Sequence, residues 1–138
     1  MSLNLPQETI ATFSQKQIVY VVDDDVHVRN STVALLKAAG IANSAHESGD
    51  AFLAAIDPSA GGCVLLDLHM PNQSGFQILA SMRDSGSTLP VILFSGRADS
   101  VTEELAKQSG AVALLCKPIA PAQLVSRVRE VLADNALG

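Results

Sequence analysis

Aromatic side chains are scarce in this chain, which has no tryptophan, one tyrosine and four phenylalanines among 138 residues. We therefore expect no platform on which nucleobases could stack. Basic residues are also few, because nine lysines and arginines face fourteen acidic residues and leave a formal charge of −5 at pH 7. Such a surface is poorly suited to hold a polyanion, so the sequence predicts no direct contact with nucleic acid.

Cysteines and long apolar runs are equally sparse. Cys63 and Cys116 lie in apolar segments without the spacing of a disulfide framework or a zinc site, so we expect two reduced core thiols in a cytoplasmic protein. No segment approaches the roughly 18 apolar residues that a membrane span requires. Residues 1–16 are polar and unlike a signal peptide, and we expect them to form a flexible tail.

What the chain does contain is apolar residues, 48% of the total, in short strand-like runs that alternate with segments of helical period. The predicted strands are residues 17–22, 41–45, 63–68, 90–94 and 111–116. A helix is predicted after each strand. Repeated βα units with buried strands indicate a parallel sheet covered by helices on both faces, which is a three-layer α/β sandwich.

Two of the predicted elements are weak. The second strand has neither a long apolar run nor many β-branched residues, as is typical of an edge strand. The fourth helix has only Val101, Leu105 and Ala106 to bury. We therefore expect it to be the most loosely packed of the five helices.

Polar residues stand at the carboxyl ends of four predicted strands. They are Asp23, Asp24 and Asp25 after the first strand, Asp67 at the end of the third, Ser95 after the fourth and Lys117 after the fifth. Because α/β sheets bind ligands beyond the carboxyl ends of their strands, we expect these side chains to form one site. Clustered carboxylates repel one another, which a cation with oxygen ligands such as Mg²⁺ would offset. The lysine and the hydroxyl group are suited to bind a phosphoryl group.

The residue types at this site predict a phosphoryl-transfer chemistry. An oxygen of the Asp67 carboxylate would attack a phosphoryl donor and form an acyl phosphate. Mg²⁺ would bridge Asp24, Asp67 and one phosphoryl oxygen. The Lys117 ammonium group would bind a second phosphoryl oxygen, and the Ser95 hydroxyl group would donate a hydrogen bond to the third.

Each of these residues also has an ordinary structural interpretation. Aspartates between a strand and a helix commonly cap the helix, and Asp25 fits that role best. Ser95 before a glycine is typical of a turn, and Lys117 before a proline is typical of a strand end. Asp67 is harder to explain in this way, because a carboxylate flanked by leucines is costly to bury unless it is paired or bound to a metal. The occurrence of all four positions at one sheet edge favours the functional interpretation.

The ordered set of motifs resembles a response-regulator receiver domain, the phosphoacceptor module of bacterial two-component signalling. The motifs are residues 18–25, 65–71 with Gly75, 90–92, 95–96, 110–111 and 117–118. The similarity extends over residues 17–135, and residues 136–138 would be a tail or the start of a linker. The resemblance implies a flavodoxin-like (βα)5 fold with strand order 2-1-3-4-5.

The resemblance also implies specific roles for the acidic residues. Asp67 is the expected phosphoacceptor. Asp24 and Asp67 are expected to bind Mg²⁺ together with the main-chain carbonyl group of His69. Asp23 is expected to act mostly through metal-bound water.

The remaining motif residues are implied to transmit the signal. A cis bond between Lys117 and Pro118 is expected to aim the lysine, and capture of the Ser95 hydroxyl group by the phosphoryl group is expected to draw the following loop inward. The surface of the fourth helix, fifth strand and fifth helix would then change. Leu114 departs from the family pattern, which usually has tyrosine or phenylalanine three residues before the lysine. We therefore expect the fourth helix and its preceding loop to carry the signal.

The resemblance implies partners as well as chemistry. A histidine kinase or a histidine phosphotransfer protein would supply the phosphoryl group, and slow autodephosphorylation would remove it, so a turnover enzyme is not expected. A phosphorylation-dependent homodimer through the fourth and fifth helices and an effector domain after this segment are further expectations. Charged residues available for pairing in the dimer are Glu103, Glu104, Arg127 and Arg129.

Three other functions fit parts of this pattern less well. A haloacid-dehalogenase-like phosphatase also uses a strand-one aspartate pair, but no acidic pair follows Lys117 and Asp67 would have no role. A pseudo-receiver that binds partners without phosphorylation usually lacks a site residue, and none is lacking here. A Rossmann-like nucleotide binder is disfavoured because neither glycine-rich phosphate-binding motif occurs.

Overall fold

The computed structural model describes residues 16–57, 59–97 and 99–137, in which five strands alternate with five helices. The strands β1 to β5 are Gln17–Val22, Asn43–His46, Gly61–Asp67, Val91–Ser95 and Ala113–Cys116. The helices α1 to α5 are Val26–Ala38, Gly49–Ala55, Gly75–Asp84, Ser100–Ser109 and Pro121–Leu137. All strand pairs are parallel, and the order in the sheet is β2-β1-β3-β4-β5. The predicted α/β fold and strand order are confirmed.

Two hydrophobic clusters cover the two faces of the sheet. One contains Phe52 of α2, Met82 of α3 and Ala106 of α4, and the other contains Leu36 of α1 and Val128 of α5. Successive side chains of a strand point to opposite faces, so each inner strand contributes to both clusters. All seven residues of β3 are buried, which confirms its predicted central position.

The central strand begins earlier than predicted, at Gly61 instead of Cys63. Glycines commonly interrupt strands, but Gly62 is needed here because β1 passes very close to it. The φ angle of Gly62 is +130°, and a Cβ atom at this position would overlap the Ile18 carbonyl group. The glycine therefore permits the close pairing of β1 with β3.

Both edge strands begin later than predicted. β2 begins at Asn43 instead of Ile41, and β5 begins at Ala113 instead of Ala111. An edge strand has a partner on one side only, so the register of that single pairing decides where it begins. Apolar composition alone therefore predicted these two boundaries less well than those of β1.

The prediction that both cysteines lie in the core is correct for Cys63 and wrong for Cys116, which is exposed. Cys116 is the last residue of β5, where side chains alternate between the two faces. Its neighbour Leu115 enters the cluster beneath α1 and α5. Cys116 instead shares the face of Leu114, which α4 covers incompletely.

The predicted burial of the α4 side chains is also partly wrong. Ala106 is buried, but Val101 is 67% exposed and Leu105 is 45% exposed. The helix lies beside the short strand β5, which offers little apolar surface to cover. The described residues therefore leave an apolar stripe of α4 on the surface.

Local sequence signals account for several helix ends. The side chain of Asp25 caps α1, Ser48 caps α2, and Gly110 ends α4 with a left-handed φ of +86°. No helix in the described part of the chain is long and apolar enough to cross a membrane. The predicted tail, apart from Lys16, lies outside the described residues.

Candidate functional site

Three carboxylates meet at the carboxyl-terminal edge of the sheet. Oxygen atoms of Asp23, Asp24 and Asp67 all lie within 4.8 Å of one another. The register of β1 and β3 pairs Val22 with Leu66, so the residues that follow the pair emerge side by side. Asp23 is 2% exposed and Asp67 is 5% exposed, whereas Asp24 faces solvent. The predicted acidic cluster is therefore present, with two of its members buried.

Lys117 places a positive charge between the two buried carboxylates. Its Nζ atom lies 3.0 Å from Asp23 Oδ2 and 3.4 Å from Asp67 Oδ1. The main chain of Lys117 is held in turn, because its N–H group donates to the Ser95 carbonyl oxygen at 2.8 Å. The bond between Lys117 and Pro118 is cis, as expected. Burial alone would lower the pKa of Lys117, but the hydrogen bond to Asp23 and the two carboxylate charges outweigh burial and raise it.

The Asp67 carboxyl group is held in an environment that disfavours its charge. Burial and the negative charge of Asp23 raise its pKa, although Lys117 and the His69 N–H group partly oppose this rise. That N–H group donates to Asp67 Oδ1 at 3.3 Å. One lysine therefore does not fully neutralise the cluster. Oxygen-only donors with excess negative charge fit a hard divalent cation such as Mg²⁺.

Two residues of the β1–α1 region hold Asp23 in place. The Asp25 N–H group donates to Asp23 Oδ1 at 2.9 Å, and the Arg29 guanidinium group donates to the Asp23 carbonyl oxygen at 2.7 Å. The Asp25 side chain itself accepts from His27 and Val28 N–H groups, which lowers its pKa and commits it to capping α1. Arg29 was missed from the sequence, although helical side chains point toward the N-terminus and so toward the end of β1.

The Ser95 hydroxyl group is fully buried and is bonded to the loops after β3 and β4. It accepts a hydrogen bond from the Arg97 N–H group at 2.9 Å and lies 3.1 Å from the Arg97 carbonyl oxygen. His69 Nε2 lies 3.2 Å from the same hydroxyl oxygen. The contact between the His69 ring and Ser95 was not predicted from the sequence. This contact follows from the pairing of Asp67 with Phe94, which brings the two loops together.

An open cavity of about 540 Å³ lies above the cluster, large enough for a phosphoryl group. Its lining residues are Asp24, Asp25, Asp67, His69, Gly96, Arg97 and Lys117. They include two of the three clustered carboxylates and the lysine. The buried carboxylate of Asp67 is thus accessible from solvent through this opening.

The sequence profile of the response regulator receiver domain matches residues 19–129 of this chain. The chain belongs to the response regulator receiver domain family. Receiver domains are phosphoacceptors of two-component signalling, and Mg²⁺ and an aspartyl phosphate are general features of the family. The resemblance stated from the sequence is therefore confirmed.

Named relatives agree with this assignment. The chain is 36% identical over 118 residues to the transcriptional regulatory protein FixJ of Azorhizobium caulinodans, covering 86% of this chain and 56% of FixJ. It is 30% identical over 115 residues to the response regulator TodT of Pseudomonas putida, covering 83% of this chain and 51% of TodT. The chain thus spans about half the length of the curated relatives it matches.

Solved structures show the same fold. The crystal structure of FixJ-N superposes on this chain with a TM-score of 0.77 and a sequence identity of 31%. The match covers 87% of this chain and 95% of FixJ-N. The response regulator StyR is 30% identical with a TM-score of 0.81, over 88% of this chain and 62% of StyR. The receiver fold therefore rests on both sequence and structure.

The receiver domain brings most of its predicted site residues into direct contact. Lys117 is bonded to both Asp23 and Asp67, and Asp24 completes the acidic cluster. Ser95 reaches this group through its main-chain carbonyl, which accepts from Lys117, while its hydroxyl group is turned to the loops.

Proposed function

We propose that this receiver domain accepts a phosphoryl group on Asp67 in a Mg²⁺-dependent reaction, with a histidine kinase or a histidine phosphotransfer protein as the donor. The observation that carries the proposal is the placement of Asp67. Its carboxylate is buried, yet it lines the open cavity and lies 3.4 Å from the Lys117 ammonium group. A nucleophile, a countercharge and space for the phosphoryl group thus coincide.

In the proposed transfer, an Asp67 carboxylate oxygen attacks the phosphorus atom of the donor. A bond forms between that oxygen and phosphorus while the bond from phosphorus to the donor imidazole nitrogen breaks, and the electron pair stays on the imidazole. The product is an acyl phosphate on Asp67. Lys117, already held between Asp23 and Asp67, is positioned to bind one of the phosphoryl oxygens.

Asp23, Asp24 and Asp67 would hold Mg²⁺, together with the main-chain carbonyl group of His69. When bound, the ion supplies neutralisation of the negative charge on the phosphoryl oxygens. The orientation of Asp23 is maintained by the Asp25 N–H group and by Arg29. The second of these contacts fixes the main chain at the end of β1 from the first turns of α1.

Phosphorylation would change the surface through Ser95. Its hydroxyl group would donate to a phosphoryl oxygen, and the loop after β4 would follow it inward. The surface of α4, β5 and α5 would then differ between the two states, which is a shift of population between conformations. The exposed apolar side chains of Val101, Leu105 and Val112 lie in or next to the elements of this surface.

We also propose an output beyond this segment. FixJ is named a transcriptional regulatory protein, and the matched segment makes up only about half of FixJ and of TodT, so an effector domain would follow residues 17–135 and would carry any contact with DNA. A phosphorylation-dependent homodimer through α4 and α5 is compatible with this arrangement. Within α5, Arg127 already pairs with Glu130 at 3.9 Å and Arg129 donates to the Ala39 carbonyl oxygen. Glu103 and Glu104 on α4 are then the more accessible charges for a dimer contact.

The decisive experiment is phosphorylation by acetyl phosphate followed by intact-mass measurement, with Mg²⁺ or with EDTA. We expect one phosphoryl group on the wild-type protein with Mg²⁺ and none with EDTA or in Asp67→Asn. Asp84→Asn, at the exposed end of α3, is the matched control and should be phosphorylated normally.

Phosphorylation of Asp67→Asn to the wild-type extent would contradict the assignment of the acceptor. Absence of any mass gain in the wild-type protein, from both acetyl phosphate and a phosphorylated histidine donor, would instead indicate an interaction module that works without phosphate.

A further inference from the structure

The side chain of His69 connects the acceptor loop to the serine that would sense phosphorylation. His69 is two residues beyond Asp67, and its main-chain N–H group donates to Asp67 Oδ1 at 3.3 Å. Its ring reaches across to the next loop, where Nε2 lies 3.2 Å from the Ser95 hydroxyl oxygen. One residue therefore contacts both ends of the proposed phosphoryl switch.

The hydrogen of the Ser95 hydroxyl group is already engaged within the protein in this structure. It has a single hydrogen to donate and two lone pairs that accept. If that hydrogen is donated to the Arg97 carbonyl oxygen, His69 Nε2–H and the Arg97 N–H group occupy the lone pairs. If His69 has the other tautomer, the hydrogen is donated to Nε2. In either case the hydrogen that a phosphoryl oxygen would need is held by the protein.

The hydroxyl group is also shielded from the cavity. Ser95 is 0% exposed, and the lining of the cavity above Asp67 includes its neighbours His69, Gly96 and Arg97 but not Ser95 itself. A phosphoryl group on Asp67 would therefore meet the His69 ring and the Arg97 loop before it meets the hydroxyl group. These contacts must break for Ser95 to turn toward the cavity.

We propose that the His69 side chain is a positioning residue that restrains Ser95 in the unphosphorylated conformation and so opposes activation. This inference rests on the proposed function, because it concerns the response of Ser95 to a phosphoryl group. Removal of the ring should release one restraining hydrogen bond and favour the activated conformation. Because one hydrogen bond is lost, we expect the apparent affinity of the protein for a phosphoryl mimic to rise about threefold to tenfold.

The test uses beryllofluoride with Mg²⁺ as the phosphoryl mimic and follows binding by the amide NMR signals of Gly96 and Arg97. Four variants test the proposal against the wild type and a control: His69→Ala, His69→Gln, Ser95→Ala and the double variant His69→Ala with Ser95→Ala. His69→Gln retains a side-chain amide that can bond to the serine. His27→Ala is the matched control, since it removes an exposed histidine from the first turn of α1.

We expect His69→Ala to bind beryllofluoride about threefold to tenfold more tightly than the wild type, whereas His69→Gln and His27→Ala should stay within about twofold. The gain should disappear in the Ser95→Ala background, which a general structural effect of the substitution would not cause. Without ligand, the Arg97 amide signal of His69→Ala should move toward its position in the beryllofluoride-bound wild type.

The possible failures are distinguishable. An unchanged or weaker affinity in His69→Ala, an equal gain in the Ser95→Ala background, or a gain of the same size in His69→Gln would each overturn the restraint. Failure of the wild-type protein to bind beryllofluoride at all would instead contradict the proposed function.

Discussion

The strands β3 and β5 both lead into the candidate site, yet they are embedded very differently. All seven residues of β3 are buried, and β3 lies between β1 and β4. β5 has four residues, of which only Leu115 is buried, and in the described sheet it pairs only with β4. The proposed acceptor ends the strand that burial holds most firmly. The strand next to the exposed stripe of α4 is held less firmly.

This difference in burial places the reacting group on a firmly held strand and the surface that would respond to phosphorylation beside a less firmly held one. Asp67 needs a fixed position relative to Asp23 and Lys117, and the centre of a sheet provides it. A responding surface needs elements that can move at a small cost in free energy, and such elements have few buried apolar groups. Lys117 links the two regions, because it follows β5 but is bonded to side chains at the ends of β1 and β3.

The largest expected contrast between the two strands is in thiol reactivity. Burial raises the pKa of Cys63 on β3 from 9.0 to about 12, while Cys116 on β5 is exposed. At about pH 8 the pKa shift alone lowers the thiolate fraction of Cys63 about a thousandfold, so iodoacetamide should alkylate Cys116 and leave Cys63 unmodified. Peptide mass spectrometry of the native protein measures both rates. As a control, both cysteines should be alkylated equally in denaturant. Equal alkylation of the two cysteines in the native protein would contradict the expected difference in reactivity.

Gly62, the second residue of β3, and Gly110, which ends α4 shortly before β5, should differ in their tolerance of alanine. A Cβ atom at Gly62 would overlap the main chain of β1, so Gly62→Ala should lower the free energy of unfolding by about 3 to 5 kcal/mol. Gly110, with a φ of +86°, has open space around it, and Gly110→Ala should cost about 1 to 2 kcal/mol. Urea denaturation of the two variants gives both values. A loss at Gly110 as large as that at Gly62 would show that clash with β1 is unimportant.

Matched leucine substitutions should sharpen the comparison further. Leu66 on β3 is fully buried, so Leu66→Ala should lower the free energy of unfolding by about 2 to 5 kcal/mol. Leu114 on β5 is only half-buried, and Leu114→Ala should cost about 1 kcal/mol. Chemical denaturation of both variants measures the two losses. Similar losses would mean that β5 is anchored as firmly as β3.

The smallest expected effect concerns the position where the family usually has an aromatic residue. Leu114→Tyr should leave the rate of phosphorylation by acetyl phosphate within about twofold of the wild type, because the reacting groups are unchanged. The tyrosine should enlarge the NMR shift changes that beryllofluoride causes in α4 and β5. Leu114→Ile is the control, with shift changes like those of the wild type. Identical shift changes in Leu114→Tyr would show that this position does not take part in the response.

The sequence predicted the fold and the members of the site because both follow from repeated local patterns. Alternating strand and helix periods imply a parallel βα sheet, and in such a sheet every strand ends at the same edge. Asp23, Asp24, Asp67 and Lys117 could therefore be brought together from their positions alone, and the structure places them in one cluster. Asp25 could likewise be assigned to the helix cap from its position.

What only the tertiary structure decided is which groups meet across neighbouring elements. The exposure of Cys116, the exposed apolar stripe of α4 and the bond of Arg29 to Asp23 depend on how far one element extends over the next. The contact of His69 with Ser95 depends on the register of β3 against β4 and on two loop conformations. Composition and spacing determine what each strand carries to the edge of the sheet, whereas register and packing determine which of those groups come within bonding distance.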